Sequence, residues 1–131
     1  MKLLLDSHIW IWWVMDPKKV SRRVTRELER PGNERWLSPV STWEFLRVAA
    51  SPRFQTREDP RRLVADALRS GVFREAPLTH EIAQVAASIR LSTGDPVDYF
   101  SVATSMVLRL TLVTADRALI EAKFVPVLPN E

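Results

Sequence analysis

Residues 2–8 read KLLLDSH, three consecutive leucines followed at once by the carboxylate Asp6. A short, unbroken apolar run is typical of a strand that is buried on both faces of a parallel sheet. The acid that ends the run then lies at the carboxyl edge of the sheet, where open α/β folds bind their ligands. This stretch therefore predicts a strand in the central sheet of the fold and a candidate functional residue, Asp6, at the edge of that sheet.

The rest of the chain alternates predicted helices with predicted strands. Further strands are expected at residues 35–38, 72–77, 111–114 and 124–127. Helices are expected at residues 7–15, 18–30, 39–50, 61–70, 79–89, 95–109 and 116–122. Such alternation predicts βαβ units. We predict an α/β fold of three layers, α/β/α, with a central, mostly parallel sheet of four to five strands, built by residues 1–131 as a single domain.

Composition excludes several kinds of chemistry. The 131 residues include no Cys and only two His, which excludes thiolate zinc sites, a Cys nucleophile and an all-His metal site. The three glycines form no Gly-rich phosphate loop. The longest apolar run, residues 9–15, is too short to cross a membrane, so we expect a cytoplasmic protein. A net charge of +3 is compatible with a nucleic-acid partner but is weak evidence for one.

Acidic residues follow the predicted strands or begin the helices after them, namely Asp6, Glu44, Asp98 and Asp116. Each acid alone is explained by helix capping and the helix dipole. Asp95-Pro96 predicts an N-cap that makes Asp98 the third helical residue, and Ser41-x-x-Glu44 fits a capping box.

Taken together, four acids at one sheet edge predict a cation site. Their mutual repulsion raises a pKa or requires a positive ion between them. Oxygen-only ligand sets suit Mg²⁺ or Mn²⁺, and two such ions can stabilise the attacking and leaving oxygens in phosphodiester cleavage.

Four segments in register carry a resemblance to a known family. Residues 3–8 (LLLDSH), 37–44 (LSPVSTWE), 94–99 (GDPVDY, followed by VAT at 102–104) and 112–116 (LVTAD) are similar to the segments around the four acids of PIN-domain ribonucleases. Within that family the chain looks most like the VapC-type toxins of type II toxin–antitoxin pairs. The resemblance covers nearly the whole chain and implies a PIN-like fold and an endoribonuclease that depends on Mg²⁺ or Mn²⁺.

The family's site residues carry over onto the matching positions. The resemblance implies that Asp6 and Asp98 bind the metal directly, and that Asp116 and Glu44 hold a second ion or metal-bound waters. Two neighbouring hydroxyl side chains would support these ligands by hydrogen bonding, Ser7 and Thr114. Tyr99 departs from the family pattern, because relatives often carry Arg there.

Two basic groups could contact RNA phosphates. One lies in the predicted helix 18–30. The other, which the sequence favours because its polar loop could flank the site, consists of Arg53, Arg57, Arg61 and Arg62. A run of charge is more often simply a solvated face.

The resemblance also implies two protein partners. One is a cognate antitoxin that inserts a basic residue into the acidic site. The other is a second copy of the chain in a homodimer, to which the Trp-rich segment at residues 10–13 could contribute when it is not core. The alternative function is a housekeeping PIN-domain nuclease that processes RNA without an antitoxin.

Overall fold

The three leucines form the central strand of a five-stranded parallel sheet in the computed structural model, which describes residues 1–52 and 58–131. The strands are β1 (Lys2–Leu5), β2 (Glu34–Leu37), β3 (Arg74–Glu75), β4 (Thr111–Thr114) and β5 (Val127–Pro129). Their order in the sheet is β3-β2-β1-β4-β5, and every neighbouring pair is parallel. Helices can therefore cover both faces of β1, which explains its unbroken apolar run.

Helices on both faces of the sheet complete the three predicted layers. They are α1 (Ser7–Met15), α2 (Arg22–Glu29), α3 (Pro39–Ala49), α4 (Pro60–Arg69), α5 (His80–Ser88), α6 (Pro96–Leu108) and α7 (Arg117–Ala122). Leu3 and Leu5 belong to a core cluster formed with helices α1 to α4, and Leu4 belongs to one formed with α6 and α7. The predicted α/β/α fold is confirmed. Within the described residues, no helix has the length and apolar character needed to cross a membrane.

The tryptophans pack mainly in the core. Trp10 is buried and stacks on Phe45 with a centroid distance of 4.4 Å. Trp13 is half-buried, and its ring is nearly perpendicular to that of Phe73 at a centroid distance of 6.0 Å. Trp43 is the exception, with 53% of its surface exposed.

The predicted helix at residues 18–30 is wrong in its first part. Pro17–Lys19 form a 3₁₀ turn, and α2 begins only at Arg22. The Ser21 side chain accepts a hydrogen bond from the backbone N of Val24, which is the arrangement of an N-cap. The apolar spacing misled the prediction because Val20 is buried beside Val24 although it precedes the helix.

The last strand is displaced from its predicted position. Lys123 ends α7 in a left-handed conformation, with φ of 58°. Residues 124–126 then return the chain to the start of β4, so that pairing begins with Val127 opposite Leu112.

The direction in which strands are added reverses beside β1. The chain adds β2 and β3 on one side of β1, then returns to add β4 and β5 on the other. Open α/β folds bind ligands outside the carboxyl ends of the strands at such a reversal, which here lies between β1 and β4. Asp6 and Asp116 follow these two strands.

Candidate active site

Asp6 is a buried carboxylate held by two hydrogen bonds. It is the N-cap of α1 and is only 3% exposed. The backbone N of Ser7 donates to Oδ1 at 2.8 Å, and the Thr114 hydroxyl donates to Oδ2 at 2.7 Å. Burial raises the pKa of Asp6, and the hydrogen bond from Thr114 partly opposes that rise. The carboxylate therefore has a fixed orientation and a strong need for positive charge.

Thr114 connects Asp6 to Asp116. Its hydroxyl, which donates to Asp6, also accepts a hydrogen bond from the backbone N of Asp116 at 3.0 Å. Asp116 uses Oδ1 to cap α7 by accepting from the backbone N of Ala118 at 2.8 Å. The capping explanation of these two acids is correct, and it also brings them to one edge of the sheet.

Asp98 lies in the first turn of α6, third from its start as predicted. Asp95 is the N-cap, with Oδ1 accepting from the backbone N of Val97 at 3.0 Å. Asp98 is 7% exposed, and its Oδ2 accepts from the Thr93 hydroxyl at 2.9 Å. Burial, opposed by the Thr93 hydrogen bond and reinforced by the charges of Asp6, Asp95 and Asp116, raises the pKa of Asp98 to about 6.

Glu44 approaches the site from the second turn of α3. It is half-buried, and its charge contributes to the raised pKa of Asp6. The predicted capping box at Ser41 is wrong, because Ser38 is the N-cap and Pro39 already begins the helix. Ser41 is instead buried inside α3 and accepts a hydrogen bond from the hydroxyl of Ser7 at 3.1 Å.

The four acids thus interact across the carboxyl edge of the sheet: Asp6 with Glu44 and Asp98, and Asp98 with Asp116. Their oxygen donors and mutual repulsion suit a hard cation. No three acidic or His side chains in the described ranges are already gathered as a ligand set. Mg²⁺ keeps several waters and needs only one or two direct carboxylates, so this donor set fits such an ion.

Two hydroxyl residues of the site were missed by the sequence interpretation. Thr93 precedes the Asp95 cap, and its hydroxyl also accepts from the backbone N of Asp95 at 3.2 Å. A threonine two residues before a capping acid is a weak signal for this turn. Ser41 gave no signal of its own, because its partner Ser7 is 34 residues away in the sequence.

The predicted RNA-binding residues fall in two groups. Arg61 and Arg62 are exposed in the first turn of α4, whereas Arg53 and Arg57 lie outside the described residues. Tyr99, which departs from the family pattern, bonds internally. Its hydroxyl accepts from the backbone N of Leu91 at 3.2 Å and donates to the Leu91 carbonyl at 3.3 Å.

Comparisons with known proteins agree with the geometry. A family model described as PIN domain matches residues 3–125. Ribonuclease VapC22 of Mycobacterium tuberculosis is 30% identical over 118 residues, which cover 89% of this chain and 88% of that protein.

Solved structures share the fold at low sequence identity. VapBC2 from Rickettsia felis, bound to a promoter DNA fragment, superposes with a TM-score of 0.74 at 14% identity over the full length of both chains. A toxin–antitoxin complex from Klebsiella pneumoniae superposes with a TM-score of 0.71 at 18% identity over 98% of each chain.

Proposed function

This chain belongs to the PIN-domain family, among its VapC-type ribonucleases, and from that membership we propose that it is a toxin that hydrolyses RNA phosphodiester bonds with Mg²⁺ or Mn²⁺. The observation that carries the proposal is the raised pKa of Asp98, which burial causes first and the charges of Asp6, Asp95 and Asp116 reinforce. A proton or a cation must relieve that repulsion, and the donors are all oxygens.

The proposed mechanism assigns a role to each acid. Asp6 and Asp98 would hold the cation directly, and Asp116 and Glu44 would hold metal-bound waters or a second ion. When bound, the cation supplies charge stabilisation at the phosphate and a water of lowered pKa. Thr114 fixes Asp6 and the start of the segment that carries Asp116, so that both acids keep their positions relative to the phosphate.

Thr93 supports Asp98 directly, whereas the hydroxyl of Ser7 bonds to Ser41 rather than to an acid. Thr93 occupies Oδ2 of Asp98, and among the described residues no hydrogen bond is donated to Oδ1. Ser7 donates to Ser41 and so fixes the start of α1 against α3, the helix that carries Glu44. The ligands are therefore oriented before a cation binds, which limits the reorganisation that binding requires.

The proposed partners follow from charge and exposure. A cognate antitoxin would insert Arg or Lys into the acidic cluster, where a guanidinium can pair with two carboxylate oxygens and compete with the cation. Trp43 is 53% exposed and offers apolar surface to a second copy of the chain in a homodimer. Sedimentation of the purified chain as a species of twice 15.1 kDa supports the dimer, and a 15.1 kDa species contradicts it.

Cleavage of RNA by the purified chain is the first test. We expect cleavage with Mg²⁺ or Mn²⁺ and none with EDTA. Asp98→Asn keeps the shape of the side chain but removes its charge, and should abolish cleavage. Asp59→Asn is the matched control, because Asp59 is the exposed cap of α4 and Asn caps a helix as well as Asp does. Cleavage by Asp98→Asn at the wild-type rate would show that the acid-cluster mechanism is wrong.

Growth of induced cells separates the toxin from the housekeeping alternative. Expression of this chain alone in the cytoplasm, where we propose that it acts, should arrest cell growth. Asp6→Ala should remove the arrest. Co-expression of the antitoxin should restore growth. Normal growth with soluble, folded wild-type chain would keep the nuclease and favour the RNA-processing function instead.

A further inference from the structure

The net positive charge of the chain lies in one segment. Residues 17–31, which comprise the 3₁₀ turn, α2 and the turn after it, contain six Lys or Arg and two Glu, a net charge of +4. The whole chain has a net charge of +3, so all other residues together sum to −1. A cation-rich surface on a chain that is otherwise slightly acidic is a candidate binding surface for a polyanion.

The arginines of α2 line an open groove. Arg22, Arg26 and Arg30 are spaced four residues apart, so they share one face of the helix and border the groove together with Glu29 and Pro31. Arg30 is paired with Glu27 at 2.8 Å. Within the described ranges Arg22 and Arg26 are in no ion pair, so two guanidiniums one helical turn apart are available to a ligand. We call this surface the α2 basic groove.

Two of these charges oppose the stability of the helix that carries them. Arg22 and Arg23 are the first two residues of α2, and its first turn contains no acidic residue. Positive charge at a helix N-terminus is unfavourable because it opposes the helix dipole. A departure from a local rule with no compensating internal contact is expected at functional positions.

Hydrogen bonds through Asn130 link the start of α2 to the acidic site. The backbone N of Asn130 donates to the carbonyl of Thr114 at 2.8 Å. The Asn130 side chain accepts from the backbone N of Ser21 at 2.7 Å and donates to the carbonyl of Lys19 at 2.9 Å. Thr114, at the end of β4, also donates to Asp6. Asn130 is therefore the one residue between the start of α2 and the residue that holds the buried acid.

We propose that the α2 basic groove binds the backbone phosphates of the RNA strand on one side of the scissile bond. The inference rests on the proposed nuclease function and adds the path of its substrate. Four acids repel an RNA chain, so the positive charge that holds it must come from a neighbouring surface. Guanidiniums pair with phosphate through two parallel hydrogen bonds, and those of Arg22 and Arg26 can contact successive phosphates of one strand.

The salt dependence of RNA binding tests the groove. The probe is a fluorescein-labelled oligouridylate of about twelve nucleotides, measured by anisotropy in EDTA from about 50 to about 300 mM NaCl. Removal of one arginine–phosphate pair should reduce the slope of log Kd against log salt concentration by about 0.7, so Arg22→Ala/Arg26→Ala should reduce it by about 1.4. Arg69→Ala/Arg90→Ala removes the same charge from exposed positions outside the groove and should keep the wild-type slope.

Thermal unfolding distinguishes a binding role from a structural one. The groove variant, Arg22→Ala/Arg26→Ala, should unfold at the wild-type temperature or above it. The reason is that the first turn of its α2 no longer carries the positive charge of Arg22, which opposes the helix dipole. A lower melting temperature together with weaker RNA binding would assign these arginines a structural role and overturn the proposal. A wild-type slope in the groove variant would also overturn it, and would leave the groove to an acidic protein partner. A wild-type chain that neither binds nor cleaves RNA would contradict the nuclease function itself.

Discussion

The carboxyl edge of the sheet and the outer face of α2 carry opposite charges in opposite settings. At the sheet edge, Asp6 and Asp98 are 3% and 7% exposed and repel each other. On α2, Arg22 and Arg26 are exposed to solvent. Buried like charges destabilise the fold, and their electrostatic interactions stay strong because little solvent screens them. Exposed charges destabilise the fold little and are screened by salt.

The difference separates two tasks of a polyanion-cleaving enzyme. In the proposed mechanism, a buried, oriented acid holds a cation in one place for the chemical step. A row of exposed arginines can attract many phosphates without fixing any one of them tightly. Variants of the acids should therefore change the rate of the chemical step, and variants of α2 should change affinity and its dependence on salt.

The largest expected effect is on kcat at the acidic edge. Asp6→Asn should lower kcat for RNA cleavage at least about a thousandfold, because several kcal/mol of metal-assisted stabilisation are lost. Its affinity for the oligouridylate should stay the same or increase, since a negative charge is removed. Arg22→Ala/Arg26→Ala should show the opposite split, with KM raised and kcat retained at saturating RNA. Equal losses of kcat in both variants would show that the acidic edge and α2 do not have separate tasks.

A smaller loss is expected when the acids stay and their support is removed. Thr114→Val deletes the hydroxyl that donates to Asp6 and accepts from the backbone of Asp116, and should reduce cleavage by about 10- to 100-fold. Thr111→Val, at the other end of β4, is the control for a change in the same strand. Equal activity of the two variants would show that the Thr114 hydroxyl does not position the acids.

Stability should respond to pH through Asp98 when EDTA removes divalent cations. The pKa of Asp98 is raised from 3.8 to about 6, so the folded state holds a proton between these values that the unfolded state has lost. The free energy of unfolding should therefore fall as pH rises through this window and level off above it. Asp98→Asn should lose the part of that decline that the titration of Asp98 causes. Its free energy of unfolding at pH 7 should exceed that of the wild type by about 1–3 kcal/mol.

Denaturant unfolding measured from about pH 4 to about pH 8 checks this prediction, with Asp59→Asn, a change at the exposed cap of α4, as the control. A decline of the same size in Asp98→Asn and in the wild type would assign the pH dependence to other groups. Added Mg²⁺ should stabilise the wild type more than Asp98→Asn, because a cation that binds only the folded chain shifts the unfolding equilibrium.

The smallest effect is expected at the link between the two regions. Asn130→Ala removes two hydrogen bonds to the start of α2 and should lower the free energy of unfolding by about 1 kcal/mol. RNA affinity should fall by only about two- to fivefold, which corresponds to less than about 1 kcal/mol, because both arginines remain. A loss as large as that of Arg22→Ala/Arg26→Ala would show that Asn130 controls the groove rather than merely anchoring it.

Structural features that depend on residues close together in the sequence were predictable from it. Asp95-Pro96 predicted the start of α6 and so the place of Asp98 in its first turn. The leucine run predicted β1 and its double burial. Local spacing failed at Ser21, because Val20 continues the apolar period through a segment that is not helical. The period reports which side chains are buried, and it does so correctly even where the backbone conformation differs.

The contacts that orient the acids were not predictable, because they join distant parts of the chain. The hydrogen bond from Thr114 to Asp6 spans 108 residues, and that from Ser7 to Ser41 spans 34. Both depend on the register of strand pairing and on how helices meet above the sheet. The acids themselves were predictable because each follows a predicted strand or begins the helix after it, and the resemblance to PIN domains implied their roles.

The central place of β1 also determines when this site can form during synthesis. Its pairing with β2 joins neighbouring parts of the chain, but its pairing with β4 must wait for residues 111–114 to leave the ribosome. Until then Asp6 lacks Thr114, Asp116 and its partner strand. Closing a loop of this length is also a slow, late event in folding. We therefore expect a nascent chain to lack the proposed site through most of its translation, and to acquire it only after residues 111–114 have paired with β1.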